Sequence, residues 1–492
     1  MTNLNAANLG GTLSDARLSA NVALLGANQT FTGSNTFKGA VLLTNAANSF
    51  AGKFFGNGTG LTNLNADLLD GLQATQFWKL AGNSGTTPGN FLGTTDNRAL
   101  ELKVNSDRGL RLEPLATSPN LIGGSRSNAV AAGVAGAAIG GGGTTASPNL
   151  IASDFGTVSG GIQNTIQGSA VGAAVSGGGT NTIEAGSQYS VIGGGGGNRI
   201  QASGQYSRIG GGSGNVIQTN ASGSTIAGGS ANVIQQGAAN AVVGGGRLNA
   251  IGASSSFAAI GGGLANGVSA SYGAIAGGRT NTIQAGSDDA VIGGGWANTV
   301  QASAGHAVIA GGSGNTIQGG ASVATIGGGS GNQVTATGPF ATVPGGTGAS
   351  ADKYGQLAYA SGSFGVAGDA QTSAYVLRGS SSATQEGELF LDGASRRLTV
   401  PNNCAWMFEI LMVGRRTGGA VHGLVIRGAV ANKSGTMTSW VGAPDSAPYG
   451  DAGLWTATVT TGSQALIIKG RLTDSADTVR WVAAVHTAEV RW

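Results

Sequence analysis

The sequence predicts an all-β protein whose centre is a parallel β-solenoid of 17-residue coils, part of a fibre. Three observations carry that expectation. First, an Ile or Val leading into glycines recurs at positions 122, 139, 158, 175, 192, 209, 226, 243, 260, 275, 292, 309, 326 and 343. The interval is 17, apart from one step of 19 and one of 15. Second, Asn recurs in step with it: Asn164, Asn181, Asn198, Asn215, Asn232, Asn249, Asn266, Asn281, Asn298, Asn315 and Asn332. Third, glycine is 93 of 492 residues yet keeps fixed places in the coil, as in Gly194-Gly195 and Gly311-Gly312. A flexible Gly/Ser/Ala linker keeps no such register.

Seventeen residues are too few for a helical hairpin and suit two short strands with two turns. The first strand is small-x-(Ile/Val), as in Ala241-Val242-Val243 and Ala324-Thr325-Ile326. Period-2 alternation turns the small residue and the Ile inward and the variable one outward. The glycine pair marks a tight corner, or backbones crowded at a shared axis as in collagen. One coil rises roughly 4.8 Å, so stacked Asn amides can form a ladder, and the rod spans about 60 Å. Gln167, Gln201, Gln218, Gln235, Gln284, Gln301 and Gln318 are a second candidate ladder. Two large aliphatic side chains per coil make a thin core, and burial must offset ordering. The expectation is that several chains share one core, with three as the natural number: a homotrimer.

The Val-x-Ile-Gly…Asn pattern resembles the head of trimeric autotransporter adhesins, which implies a left-handed β-roll. That family's coil is usually shorter. The resemblance covers roughly half the chain.

Around the solenoid (122–348) the chain divides into an N-terminal shaft and collar (1–88), a hairpin neck (89–121), a linker (349–368) and a tip (369–492). In the shaft, Phe31, Phe37, Phe50, Phe54 and Phe55 are spaced by Gly and Asn. Leu61, Leu64, Leu68 and Leu72 have helical spacing, which fits a short collar. In the neck, Leu100, Leu102 and Val104 alternate, residues 105–109 turn, and Leu110 and Leu112 return. The tip alternates in eight strands, from Ala374–Arg378 to Thr478–Val485, as a β-sandwich or jelly roll. The stretch Asn63-Leu-Asn-Ala-Asp-Leu-Leu-Asp-Gly-Leu72, continuing to Phe77, resembles a motif of bacteriophage tail fibres. Gly368 to Arg378, Leu389 to Gly393 and Arg480 to Ala484 resemble a tail-fibre tip domain. These resemblances imply a fibre attached to a baseplate or shaft through its N-terminus.

The composition narrows the chemistry. Only 10% of residues are charged and the net charge is +3. Residues 122–348 hold five Arg, four acidic residues and no Lys, so no basic stripe exists for nucleic acid. No apolar run reaches membrane-spanning length, so no membrane insertion is expected, and residues 1–30 do not read as a signal peptide. Cys404 stands alone in an apolar setting and reads as a buried small residue. His306, His422 and His486 have no metal-ligand spacing, so no metal and no cofactor are expected. The close acids Asp288-Asp289 and Glu386/Glu388 read as solvated, and no catalytic residue and no enzymatic activity are expected. A carboxylate pair formed across protomers stays open, which keeps a polysaccharide depolymerase as a second alternative.

Two sets of binding residues stand out. Three residues before the first apolar position lie Phe155, Tyr189, Tyr206, Phe257, Tyr272, His306 and Phe340, facing away from the coil's own core. This stripe either stacks on sugar faces or packs against a neighbouring protomer, the latter preferred. In the tip, Trp440, Tyr449 and Trp455 flank the loop Gly442 to Gly453 and are the surface candidates, while Trp406 and Trp481 are expected in the core. That loop either binds a ligand or caps the trimer. The reading is a trimeric fibre for cell-surface attachment, as a phage tail fibre or the fibre of a contractile injection system. Its partner is a surface glycan or other receptor, and its place is an extracellular particle or the cell surface. The alternative is a secreted structural filament or adhesin without a specific ligand.

Overall fold

The computed structural model describes residues 32–36, 38–40, 42, 82–382, 385–443, 445–449, 455–473 and 477–492, with 446–449 by backbone alone. The leucines and phenylalanines on which the shaft and collar rest lie outside the described residues. Contacts divide the chain into Met1–Phe91 and Leu92–Trp492, and the neck, solenoid and tip lie in the second unit. The described elements are all strands.

One coil shows how the sequence makes the rod. Strand Val191–Ile192 runs into Gly193 to Gly196, Asn198 precedes strand Arg199–Ile200, and a turn through Tyr206 leads to strand Arg208–Ile209. Val191 pairs in parallel with Arg208 and Ile192 with Ile209, while Arg199 pairs with Val216. A third line of parallel bridges runs through the corner, from Gly196 to Ser213. The first line of strands extends from Asn120–Gly123 to Thr342–Val343. The second, 14 strands long, ends at Ser350–Ala351. The 15-residue coil keeps both registers, Ile260 on Ile275 and Val268 on Ile283, so its deletion is absorbed in the turn carrying Tyr272.

The interior is closed by one chain. Ser190, Ile192, Asn198 and Ile200 are each 0% exposed, and the equivalent positions of later coils follow suit. The expectation that several chains share a core is therefore corrected. Small residues and a polar column complete the cross-section that two aliphatic side chains leave thin. In that column, Asn198 Nδ2 donates to the Gly194 carbonyl of its own corner at 2.9 Å and to the Gly212 carbonyl of the next at 3.0 Å. Its Oδ1 accepts from the Asn215 backbone N–H at 3.0 Å. The glutamines behave differently. Gln218, Gln284 and Gln318 accept, through Oε1, from the backbone N–H of Gln236, Ala302 and Ala336 at 3.1–3.3 Å. They brace the next coil's turn instead of bonding one another.

The glycines form a corner within the chain. The outer two of a run are crowded and the middle one is not: a Cβ on Gly244 would sit 2.4 Å from the Gly261 carbonyl oxygen, and one on Gly246 2.1 Å from that of Gly263. Gly245 between them has open space but holds φ at 151°.

At the near end, Leu100–Val104 and Asp107–Glu113 form the hairpin, turned tightly by Asn105 and Ser106 at φ 50° and 67°. Its second strand pairs antiparallel with Asn120–Gly123 and so covers the first edge of the solenoid. At the far end, residues 349–368, expected as a linker, carry the ladder on: Val334 pairs with Ala351 and Thr342 with Leu357. Strand Leu357–Ser361 then pairs antiparallel with Thr372 to Ala374, joining rod to tip in one sheet.

The tip is a two-sheet sandwich. The larger sheet runs Ala370–Ser382, Thr478–Arg491, Cys404–Arg416, Val421–Lys433. Thr436–Val441 and Asp445–Tyr449, two strands absent from the sequence reading, share its far edge. The smaller sheet joins Gly387–Glu388, Leu398–Thr399, Trp455–Gly462 and Ala465–Leu472. Trp406, Trp481, Ile410 and Ile468 fill the space between, and Cys404 is buried beside them.

The crowded corner yields a contrast. Gly246→Ala should cost about 1–3 kcal/mol, the scale of overpacking. Gly262→Ala, where a Cβ meets nothing within 4 Å and φ is ordinary, should leave the rod unchanged. Thermal unfolding of the two variants checks this, and equal melting temperatures would contradict the role given to the last glycine.

Candidate functional site

The stripe of rings on the rod is real and faces solvent in the single chain. Phe155, Tyr189, Tyr206, Phe257, Tyr272 and Phe340 are 50–64% exposed, and the His306 side chain is 69% exposed. All seven hold left-handed backbone, with φ between 54° and 63°. Inter-coil hydrogen bonds impose it: the Tyr206 N–H donates to the Gln188 carbonyl at 2.9 Å and the Tyr272 N–H to Ser256 at 3.0 Å. Left-handed backbone suits Gly, Asn and Asp, and costs a bulky residue about 1 kcal/mol or more. Gly172, Gly223, Asn240 and Asp289 take the same place in other coils. Outside the glycine corner, each coil has up to two further left-handed positions. Gly, Ser, Ala, Thr, Asn and Gln fill those, with Leu248 the one large apolar exception among the described residues. The rings therefore stand where the local turn prefers something smaller.

The rings also meet one another. Tyr189 and Tyr206 stack at 5.5 Å between centroids with 15° between planes, and Phe257 and Tyr272 at 5.0 Å with 4°. Each leans toward the preceding coil: a Cβ on Gly172 would touch the Tyr189 ring at 2.9 Å.

The three tip residues part company. Trp440 is 63% exposed and lines a groove of about 620 Å³ with Met407, Ala429, Ala431, Thr438 and Ser439. Trp455, expected at the surface, is corrected: it is 7% exposed, stacks on His422 at 5.6 Å and meets Trp481 edge-on at 5.5 Å. It starts a strand whose inner face closes the sandwich. Burial pulls the His422 imidazole below its ordinary pKa, so it is neutral at neutral pH. Tyr449 ends the strand Asp445–Tyr449, opposite Val421, and its side chain lies outside the described residues, as do residues 444 and 450–453 of the Gly442–Gly453 loop.

Sequence reasoning missed the groove because Met407, Ala429 and Ala431 read as ordinary strand residues. The signal was present in Cys404–Arg416, where both faces are apolar: Trp406, Phe408 and Ile410 inward, Met407, Leu411 and Val413 outward and exposed. Where rod and tip join, a buried polar cluster replaces hydrophobic contact. The Tyr375 hydroxyl donates to Glu489 Oε1 at 2.8 Å, and Gln371 Nε2 donates to Glu489 Oε2 and to the Ser350 carbonyl, both at 3.0 Å. Burial, and then the Glu489 charge, push the Tyr375 phenol well up. Among the described residues no three His, Cys, Asp or Glu are placed to hold a metal, and no helix is long and apolar enough to cross a membrane.

No family model and no curated protein matches the chain. Solved structures do, among them two phage tailspikes. One is the tailspike protein gp49 of Acinetobacter baumannii bacteriophage Fri1, a capsular polysaccharide depolymerase. It is 10% identical, covers 72% of each chain and has a TM-score of 0.16. The other is the tailspike protein of Acinetobacter phage vB_ApiP_P1. It is 7% identical, covers 70% of this chain and 82% of that one, and also has a TM-score of 0.16. Because one of these is a depolymerase, and so an enzyme, the expectation that the chain has no enzymatic activity is corrected and withdrawn. That expectation rested on acids adjacent in sequence, whereas the fold brings together groups a coil apart, such as Asp289 and His306. Likenesses this weak carry no activity over to this chain.

Proposed function

We propose that the chain is a cell-surface recognition fibre of a tailed phage or a contractile injection system. Its N-terminal part faces the particle, its solenoid is a stiff spacer, and its tip binds a surface glycan. The collar-like stretch Asn63 to Leu72 supports the particle end of this reading. The continuity of hydrogen bonding from Thr342 through Leu357 to Ala374 supports a tip held rigidly on its rod.

The observation that carries recognition is the groove at Trp440. An exposed indole lies on an edge strand, opposite Ala429, with Met407 beyond it and the Thr438 and Ser439 hydroxyls alongside. A flat apolar face flanked by hydroxyls suits a sugar ring. Three copies make up the fibre in this reading. The support is the apolar outer row Val376, Ala484, Leu411 and Val425, which one chain leaves without a partner sheet.

Trp440→Ala should weaken adsorption to the cells the protein binds by roughly tenfold or more, the scale of a lost aromatic hot spot. Its melting temperature should not change, since the indole packs little. Full adsorption by the variant would remove the groove from recognition. Light scattering should give a mass near three times 47.8 kDa, and a monomer would contradict the trimer.

A further inference from the structure

The ring column is not uniform along the rod. From Tyr189 it reads two rings, Tyr189 and Tyr206, then Gly223 and Asn240, then two rings, Phe257 and Tyr272, then Asp289, His306 and Val323. Phe340 follows four coils after Tyr272, and it too meets a second ring, Tyr354, at 5.2 Å. The Tyr189/Tyr206 and Phe257/Tyr272 pairs start four coils apart, about 19 Å at roughly 4.8 Å per coil, and the third pair starts five coils after Phe257.

The gaps hold three polar side chains, Asn240, Asp289 and His306, together with Gly223 and the exposed Val323. The Asn240 amide leans over Gly223, where a Cβ would meet its Oδ1 at 2.5 Å. Because Gly223 has no side chain, the coil after Tyr206 places nothing over that ring. In the next gap His306 Nε2 lies 3.8 Å from Asp289 Oδ2, both side chains exposed.

Two occupants compete for this flank: another copy of the chain, and a ligand. The centre of a contact between copies is depleted of charge, yet Asp289 stands in line with the rings. A contact along the whole rod would also use every coil, whereas this column alternates. Rings with an amide, a carboxylate and an imidazole beside them suit carbohydrate, whose C–H faces stack and whose hydroxyls bond. A repeating site suits a repeating ligand, since each platform engaged raises the effective concentration at the next.

The geometry points to a second binding site, separate from the tip groove: a ladder along one flank of the solenoid for a linear polysaccharide laid parallel to its axis. Its sugars stack on the Tyr189/Tyr206 and Phe257/Tyr272 pairs, and its hydroxyls bond Asn240, Asp289 and His306. This site stands whether or not the Trp440 groove binds.

The test uses the full-length chain on native gels containing dextran, xylan or hyaluronan. At least one of these gels should retard the protein. A variant with Tyr189→Asn, Tyr206→Asn, Phe257→Asn and Tyr272→Asn should run unretarded, with at least tenfold weaker binding in titration. Asn already fills this turn at position 240, so the variant should keep its melting temperature and mass. Trp440→Ala should still be retarded, because the ladder rings remain. Retardation by none of the gels overturns the proposal, as does equal retardation of the four-ring variant. A lower mass or melting temperature in that variant assigns the rings to contact between copies. Loss of retardation in Trp440→Ala assigns the polysaccharide to the tip. Either result overturns the ladder.

Discussion

The buried Asn column is the interaction on which the rod depends. At each corner the chain bends through glycines and leaves a carbonyl, such as that of Gly194, and an Asn N–H, such as that of Asn215, that backbone pairing among the described residues does not satisfy. Asn198, with no exposed surface, donates to the Gly194 carbonyl of its own coil, adds a second bond to the Gly212 carbonyl that the Gly196 N–H already pairs, and accepts the next Asn N–H. A buried backbone group without a partner costs about 1–3 kcal/mol, so each amide offsets a penalty paid at every coil otherwise. A Ser ladder assists where it occurs: Ser190 Oγ donates to the Gly204 carbonyl and accepts from the Ser207 N–H. Stability is thus a sum of nearest-neighbour terms, as in other solenoids.

Because the interior is set by Ile, Asn, Gly and small residues, the outward positions are free to vary. That freedom is where recognition has room to develop. The rod keeps rings at strained left-handed positions where Gly172, Gly223 and Asn240 show that smaller residues serve. Departures from local preference concentrate where function or strain resides. The tip follows the same logic through its outer face, where Met407 and Trp440 are exposed although both could be polar without harm to the core.

The solenoid was legible because its signal repeats. Strand order, inward Ile, the Asn column and the outward rings all follow from period and alternation. What the sequence hid is spatial. A count of two aliphatic residues per coil suggested a shared core, since it gave no weight to Ala and Ser packing or to satisfied amides. The Gly/Ser-rich run 349–368 read as a linker, but Val334, Thr342 and Thr372 supply its strand partners. Trp455 read as a surface residue because it flanks the Gly442–Gly453 loop, yet the strand it opens turns it onto His422 and Trp481. The edge strands Thr436–Val441 and Asp445–Tyr449 escaped notice because Ser, Pro and Asp break their alternation.

Hydrogen exchange on an Asn249→Leu variant tests the central claim most directly. Leu fills similar space but cannot satisfy the Gly245 carbonyl or the Asn266 N–H, and leaves the Gly263 carbonyl with the Arg247 N–H alone. Amides of Val233–Ile234, Ala250–Ile251 and Gly267–Val268 should lose protection, while the tip strand Cys404–Arg416 keeps its own. Unchanged protection in those three coils would mean that apolar packing, not the Asn ladder, holds the rod together.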